Sequence, residues 1–132
     1  MGYHISSGEI TTSISVENAN KFMDMFLKHF LNKSEGKQNL DLWEEEIIAA
    51  CKEHDFIGIL GIYEYGVIQK SDAYIIEEFI GEQYSYDTEI FQLLAPYMND
   101  GHIEIHGEDH KMWRWCFKDG KFSTKYPKVV WE

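Results

Sequence analysis

The chain has 132 residues, 44% of them apolar and 15% aromatic, a length that suits one domain with its own core and a composition too hydrophobic for disorder. Its formal charge of −11 is unevenly spread: residues 1–110 carry 6 Lys and Arg against 21 Asp and Glu, whereas residues 111–132 carry 6 against 2. An acidic body disfavours direct binding to nucleic acid, whose phosphates need clustered Lys and Arg, and suits a solvated surface, a basic protein partner or mimicry of nucleic acid.

The opening Met1–Ile10 has neither the cationic start nor the apolar stretch of a signal peptide, and no apolar run approaches the roughly 20 residues of a membrane helix. A cytoplasmic chain with no membrane contact is expected, with Cys51 and Cys116 as reduced thiols. Tyr3 to Val16 alternates in patches and predicts a strand interrupted by a turn or bulge at Ser6-Ser7-Gly8. Asn18 is a candidate N-cap for a helix to about Leu31, whose stripe of Phe22, Met23, Phe26, Leu27 and Phe30 is expected to cover the aromatic wall of the C-terminal sheet. A polar linker with Gly36 follows. Asp41 then caps a predicted helix over Leu42 to His54, with Trp43, Ile47, Ile48 and Cys51 on its buried side and Glu44, Glu45 and Glu46 favouring the positive end of its dipole. Cys51 and His54 also have the spacing of a metal or thiolate–imidazole pair, with no third ligand nearby.

Phe56 to Tyr63 is the most apolar run and reads as a central strand; Val67 to Lys70 continues extended, and Tyr74 to Ile80 forms another strand. After a loop holding Glu82, Tyr84 and Tyr86, Asp87 caps a third predicted helix to about Met98, in which Pro96 is expected to kink the last turn.

The last third of the chain predicts two consecutive β-hairpins. Asp119-Gly120 between Lys118 and Lys121 is a type I′ turn signal, because both central positions need positive φ. That register sets Phe117 against Phe122, Trp115 against Thr124 and Trp113 against Tyr126 on one face, an aromatic wall. Arg114, Cys116, Lys118, Lys121, Ser123 and Lys125 share the other face, which can stay wet. In the preceding hairpin a bulged loop at Gly107 to Asp109 brings Glu104 near Met112 and Arg114 and keeps charge off the wall.

His102, Glu104 and His106 alternate along one strand, followed by Glu108, Asp109 and His110, which is a metal-like inventory. Side chains two apart on a strand stand roughly 7 Å from one another, too far to share an ion at bonds of about 2 Å. No metal or cofactor is therefore expected. Phosphate loops, a serine nucleophile elbow, paired cysteines and a zinc-protease helix are all absent from the sequence, so catalysis is not expected either.

The residues Ala95-Pro96-Tyr97, Asp100-Gly101, Ile103-Glu104, Gly107-Glu108-Asp109, Trp113-Arg114-Trp115, Phe117, Gly120-Lys121, Tyr126-Pro127 and Val130-Trp131-Glu132, with the opening Met1-Gly2-Tyr3, resemble a family of small uncharacterised proteins of phages and mobile elements of Firmicutes. The resemblance covers about a third of the chain and departs at His110, where the family tends to carry Gly. It implies genomic context rather than chemistry, and that context favours an inhibitor of host machinery.

The fold expected is α+β over residues 1–132 as a single domain: a mostly antiparallel sheet of five or six strands with three helices on its aromatic face. Two functions are consistent with it. One is a non-enzymatic acidic binder, an inhibitor of anti-CRISPR or anti-restriction type, presenting Glu44, Glu45, Glu46, Glu77, Glu78, Glu82, Asp87 and Glu89 to a basic, nucleic-acid-handling host protein. The alternative is a small-molecule or metal-binding domain, or an enzyme, using His102, Glu104, His106 and Arg114 on the polar face of the hairpins, and a concave pocket there would support it.

Overall fold

The computed structural model describes residues 4–33, 42–81 and 87–128. Met1-Gly2-Tyr3, the linker around Gly36 with the Asp41 cap, Glu82, Tyr84, Tyr86 and Val130-Trp131-Glu132 lie outside the described residues, as do the side chains of Trp43 and Asp87.

The N-terminal alternation forms β1 (Ile5–Ile10), which pairs antiparallel with β5 (Gly101–Gly107). Ser7 stands opposite Ile105 and Ile10 opposite Ile103, so Gly8 and Glu9 share the place of one residue facing Glu104. The expected interruption at Ser6-Ser7-Gly8 is thus a bulge placed at Gly8 and Glu9, with Ser6 and Ser7 in regular register. It turns Gly8 and Glu9 outward together and returns Ile10 to the apolar side.

At Thr11 and Thr12 the chain steps off this sheet. The Thr11 N–H donates to the His102 carbonyl at 2.9 Å, and the buried Thr12 hydroxyl donates to the Asn99 carbonyl at 3.0 Å. A Cβ on Gly101 would come within 2.7 Å of the Thr12 backbone, so the crossing needs glycine there. The next strand, β2 (Ser13–Ser15), pairs with β4 (Ala73–Phe79), which pairs in turn with β3 (Tyr65–Lys70). The terminal strands Met112–Lys118 (β6) and Lys121–Lys125 (β7) complete the first sheet. Strand orders are β1-β5-β6-β7 and β2-β4-β3, antiparallel throughout. The fold is α+β, but the expected single sheet of five or six strands is corrected to two, of four and three strands among the described residues.

The helices also differ from expectation. Helix α1 (Val16–Lys33) is capped by Ser15, whose Oγ accepts the Asn18 N–H at 3.0 Å; Asn18 instead sends its side-chain amide to the Tyr97 carbonyl. Helix α2 (Leu42–Lys52) follows. The apolar run expected as a strand is helix α3 (Phe56–Ile62). Asp55 caps it by accepting the Gly58 N–H at 3.0 Å, and a Cβ on Gly58 would collide with that carboxylate. Phe56, Ile59 and Leu60 then fall on one buried face at helical spacing, while Ile57 and Gly61 stay exposed. The last helix, α4 (Asp87–Leu94), stops earlier than expected, and Pro96 sits in a 3₁₀ turn over Ala95–Tyr97. Thus four α-helices, not three, occur among the described residues. None is long and apolar enough to cross a membrane.

The aromatic wall is met by Phe91 of α4, with ring centroids 5.3 Å from Trp115 and 5.7 Å from Phe117. The α1 stripe reaches elsewhere: Phe22 stacks on Phe26 at 5.0 Å and meets Phe56 and Tyr97 edge-on. Tyr65 of β3 joins the two halves by contacting Phe91 at 5.5 Å. The aromatic face is thereby closed by α4, which leaves the opposite face of β5, β6 and β7 as the sheet's polar side.

Candidate functional site

Alternation along three strands builds this polar face. Glu104 pairs directly with Arg114, His102 with Cys116 and His106 with Met112; Arg114 in turn pairs with Lys125. The hairpin of β5 and β6 turns over three residues, Glu108 to His110, between Gly107 and Lys111, whose ends are closed by the Gly107 N–H donating to the Lys111 carbonyl at 2.8 Å. That moves the expected bulged loop one residue along and puts Glu104 squarely across from Arg114. The Asp-Gly turn holds as expected, with Asp119 and Gly120 both at positive φ and Lys118 opposite Lys121.

Glu104 is the hub. The Arg114 Nε and Nη2 donate to its Oε1 at 3.3 and 3.2 Å, and the His106 Nε2 lies 3.0 Å from its Oε2. The backbone N–H of Glu9, turned outward by the bulge, donates to the same carboxylate. The His106 hydrogen bond is the largest influence on its protonation, and with Arg114 and Glu9 it outweighs the opposing desolvation and holds the carboxyl below the usual carboxylate range. Gly8 makes room for this hub, since a Cβ there would collide with both the Glu104 carboxylate and the His106 ring.

His102 belongs to a separate set. Its Nε2 lies 3.0 Å from Glu9 Oε1 and its Nδ1 3.3 Å from Thr11 Oγ1, which also accepts the His102 backbone N–H. The Glu9 carboxylate can only accept, so the His102 Nε2 donates to it. His102 and His106 are thus committed to different carboxylates. Among the described residues no three His, Cys, Asp or Glu side chains converge as metal ligands.

Beside these groups lies a cleft of about 510 Å³ lined by His102, Glu104, Met112, Trp113, Arg114, Cys116, Lys125, Tyr126 and Pro127. Three of the four candidate ligand residues line it, and His106 supports Glu104 from outside. The Asp-Gly register already pairs Lys125 with Arg114 on this face, although nothing in the local sequence marks it as a ligand residue. Gly8, Glu9 and Thr11 left no such signal, because only the tertiary pairing of β1 with β5 brings them here.

The candidate acidic contacts fare differently. Glu44 is only 2% exposed, so it is withdrawn as a surface contact; with Ile47, Ile48 and Cys51 it forms the i, i+3, i+4, i+7 stripe that α2 turns inward. Glu45 and Glu46 are exposed, as is Glu89 on α4. Glu77 and Glu78 are both exposed because β4 bulges there, Gly66 facing Glu78 and Val67 facing Ile76, before Phe79 returns to the core. Glu82 and the Asp87 side chain lie outside the described residues.

The Cys51–His54 pairing does not form. His54, at φ 54°, ends α2 and turns its Nε2 to Asp24 Oδ1 at 2.9 Å. Burial, with the Asp24 carboxylate adding to it, pushes the Cys51 thiol up to about 11, which leaves it protonated and unreactive at neutral pH. Both cysteines are free thiols. No protein-family model matches the chain, and no curated protein or solved structure matches it either.

Proposed function

We propose that this protein is a small-ligand binding module whose site is the cleft on the polar face of the four-stranded sheet. The observation that carries this reading is the convergence, around about 510 Å³ of open space, of a fixed carboxylate hub, two cationic side chains and an apolar wall. Small-molecule sites are concave, mostly apolar and furnished with a few placed polar groups, and their volumes run from about 300 to 1,000 Å³. The chain's residues there are suited to holding and orienting a ligand, and binding is what is proposed. A chemically diverse fragment library screened against the ¹⁵N-labelled protein tests it. Saturable shifts confined to Met112–Cys116 and Lys125–Tyr126 are expected, and a library that leaves those amides unmoved would reject the cleft as a site.

A second reading keeps the acidic body as a contact surface for a basic, nucleic-acid-handling host protein, consistent with the phage-type resemblance. The outward pair Glu77 and Glu78, with Glu45 and Glu46, supports it. Capture of a basic nuclease from a bacterial host lysate, lost at moderate salt and on Glu77→Lys with Glu78→Lys, is the expected result; capture indifferent to both changes would reject it.

A further inference from the structure

We infer that the cleft takes a small organic anion, a carboxylate or phosphate ester carried on a flat apolar body, an inference that rests on the cleft being a binding site. The first observation is a cross-strand pair of like charges. Arg114 and Lys125 stand directly opposite one another on the polar face, a like-charge pair whose repulsion a bound anion would relieve. The Glu104 oxygens are engaged by Arg114, His106 and the Glu9 amide. Lys125 makes no ion pair among the described residues. Glu104 engages only the Nε and Nη2 groups of Arg114. The guanidinium is thereby oriented, with its Nη1 donors left for a ligand. In a chain of net charge −11, the cleft gathers two cations against one committed carboxylate.

The second observation is apolar. Met112, Trp113, Tyr126 and Pro127 line the same space; Tyr126 follows the last residue of β7 and is 71% exposed, so it does not join the aromatic wall across from Trp113 as the Asp-Gly register predicted. An aromatic ring beside two cations is the surroundings an aryl or alkyl anion requires, charge at one end and a flat apolar contact at the other. The acidic body does not forbid this, because at physiological salt its repulsion is screened over about 8 Å.

The test titrates the full chain, ¹⁵N-labelled, with four matched probes: phenyl phosphate, benzoate, benzyl alcohol and benzylamine. The expected result is saturable shifts at Arg114, Cys116, Lys125 and Tyr126 with at least one of the two anions, at least tenfold tighter than with the alcohol or the amine. Preference for phenyl phosphate assigns a phosphate ester, and preference for benzoate a carboxylate. Lys125→Gln should weaken the anion at least fivefold and Lys125→Glu abolish it; each variant's dispersed spectrum confirms that it is folded. Alcohol or amine binding as tightly as the anions overturns the ligand class while leaving the cleft as a site. Anion shifts unchanged by both Lys125 variants, or absent for both anions, also overturn the inference, and the diverse fragment library then judges the cleft by itself.

Discussion

The hydroxyl of Ser7 accepts the backbone N–H of Phe79 at 2.9 Å, across the line where β1 of one sheet meets β4 of the other. A side chain here satisfies a donor that would otherwise seek a neighbouring strand's carbonyl, so the two sheets touch without merging into one ladder. Ser7→Ala removes the acceptor and leaves the half-buried amide without it. The variant should lose about 1–2 kcal/mol of stability, read as a lower urea midpoint with an unchanged m-value.

Glu104 stabilises the fold only while it is charged. Its carboxyl is held below its ordinary value of 4.5 by His106, Arg114 and the Glu9 amide, so its contribution is complete above that value and disappears as pH falls through the lower native one. Glu104→Gln should cost about 1 kcal/mol at pH 7 after allowance for partial exposure. The gap between the two proteins should then close as pH is lowered below 4.5. Urea titrations at a series of pH values measure this; a gap that stays constant into acid would contradict the hub.

Phe91 packs across the aromatic wall, contacting Tyr65, Trp115, Phe117 and Phe122. It is fully buried. Phe91→Ala should therefore cost about 3–5 kcal/mol, whereas Phe91→Leu, which keeps most of the volume, should cost about 1–1.5. Comparing the two by denaturant melts separates cavity formation from the loss of ring contacts.

His110 occupies the third position of the loop between β5 and β6 at φ 65°. Three-residue hairpin loops place that position in the left-handed region, which costs a side-chain-bearing residue about 1 kcal/mol and glycine almost nothing. His110→Gly should raise stability by about 0.5 kcal/mol once glycine's greater unfolded-state freedom is subtracted. A thermal melt checks the sign, and a fall in melting temperature would show that the His110 ring carries a contact worth more than the strain.

Local chemistry is readable where a residue's neighbours in sequence decide its conformation. Asp119-Gly120 sets the register of the last hairpin, and that register places Arg114, Cys116 and Lys125 on one face whatever the rest of the chain does. The Glu44–Glu46 triplet and the Phe56–Ile62 run are harder, for different reasons. In the triplet one carboxylate falls on the inward stripe of α2, which the periodicity through Ile47, Ile48 and Cys51 allows but the acidic character disguises. In the apolar run, helix and strand patterns coincide, and the Asp55 cap on Gly58 favours the helix.

The amino-acid sequence by itself determined the α+β class, the terminal hairpins, the polarity of charge and the division of β6 into an aromatic and a polar face, because turns, caps and alternation act over a few residues. Only the tertiary structure decided that the strands split into two sheets, that α4 rather than α1 closes the aromatic wall, and that Gly8, Glu9 and Thr11 gather around Glu104 and His102. Those relationships depend on which distant strands pair and where a bulge falls, and such pairing is settled by the packing of the whole core rather than by any local stretch of the chain.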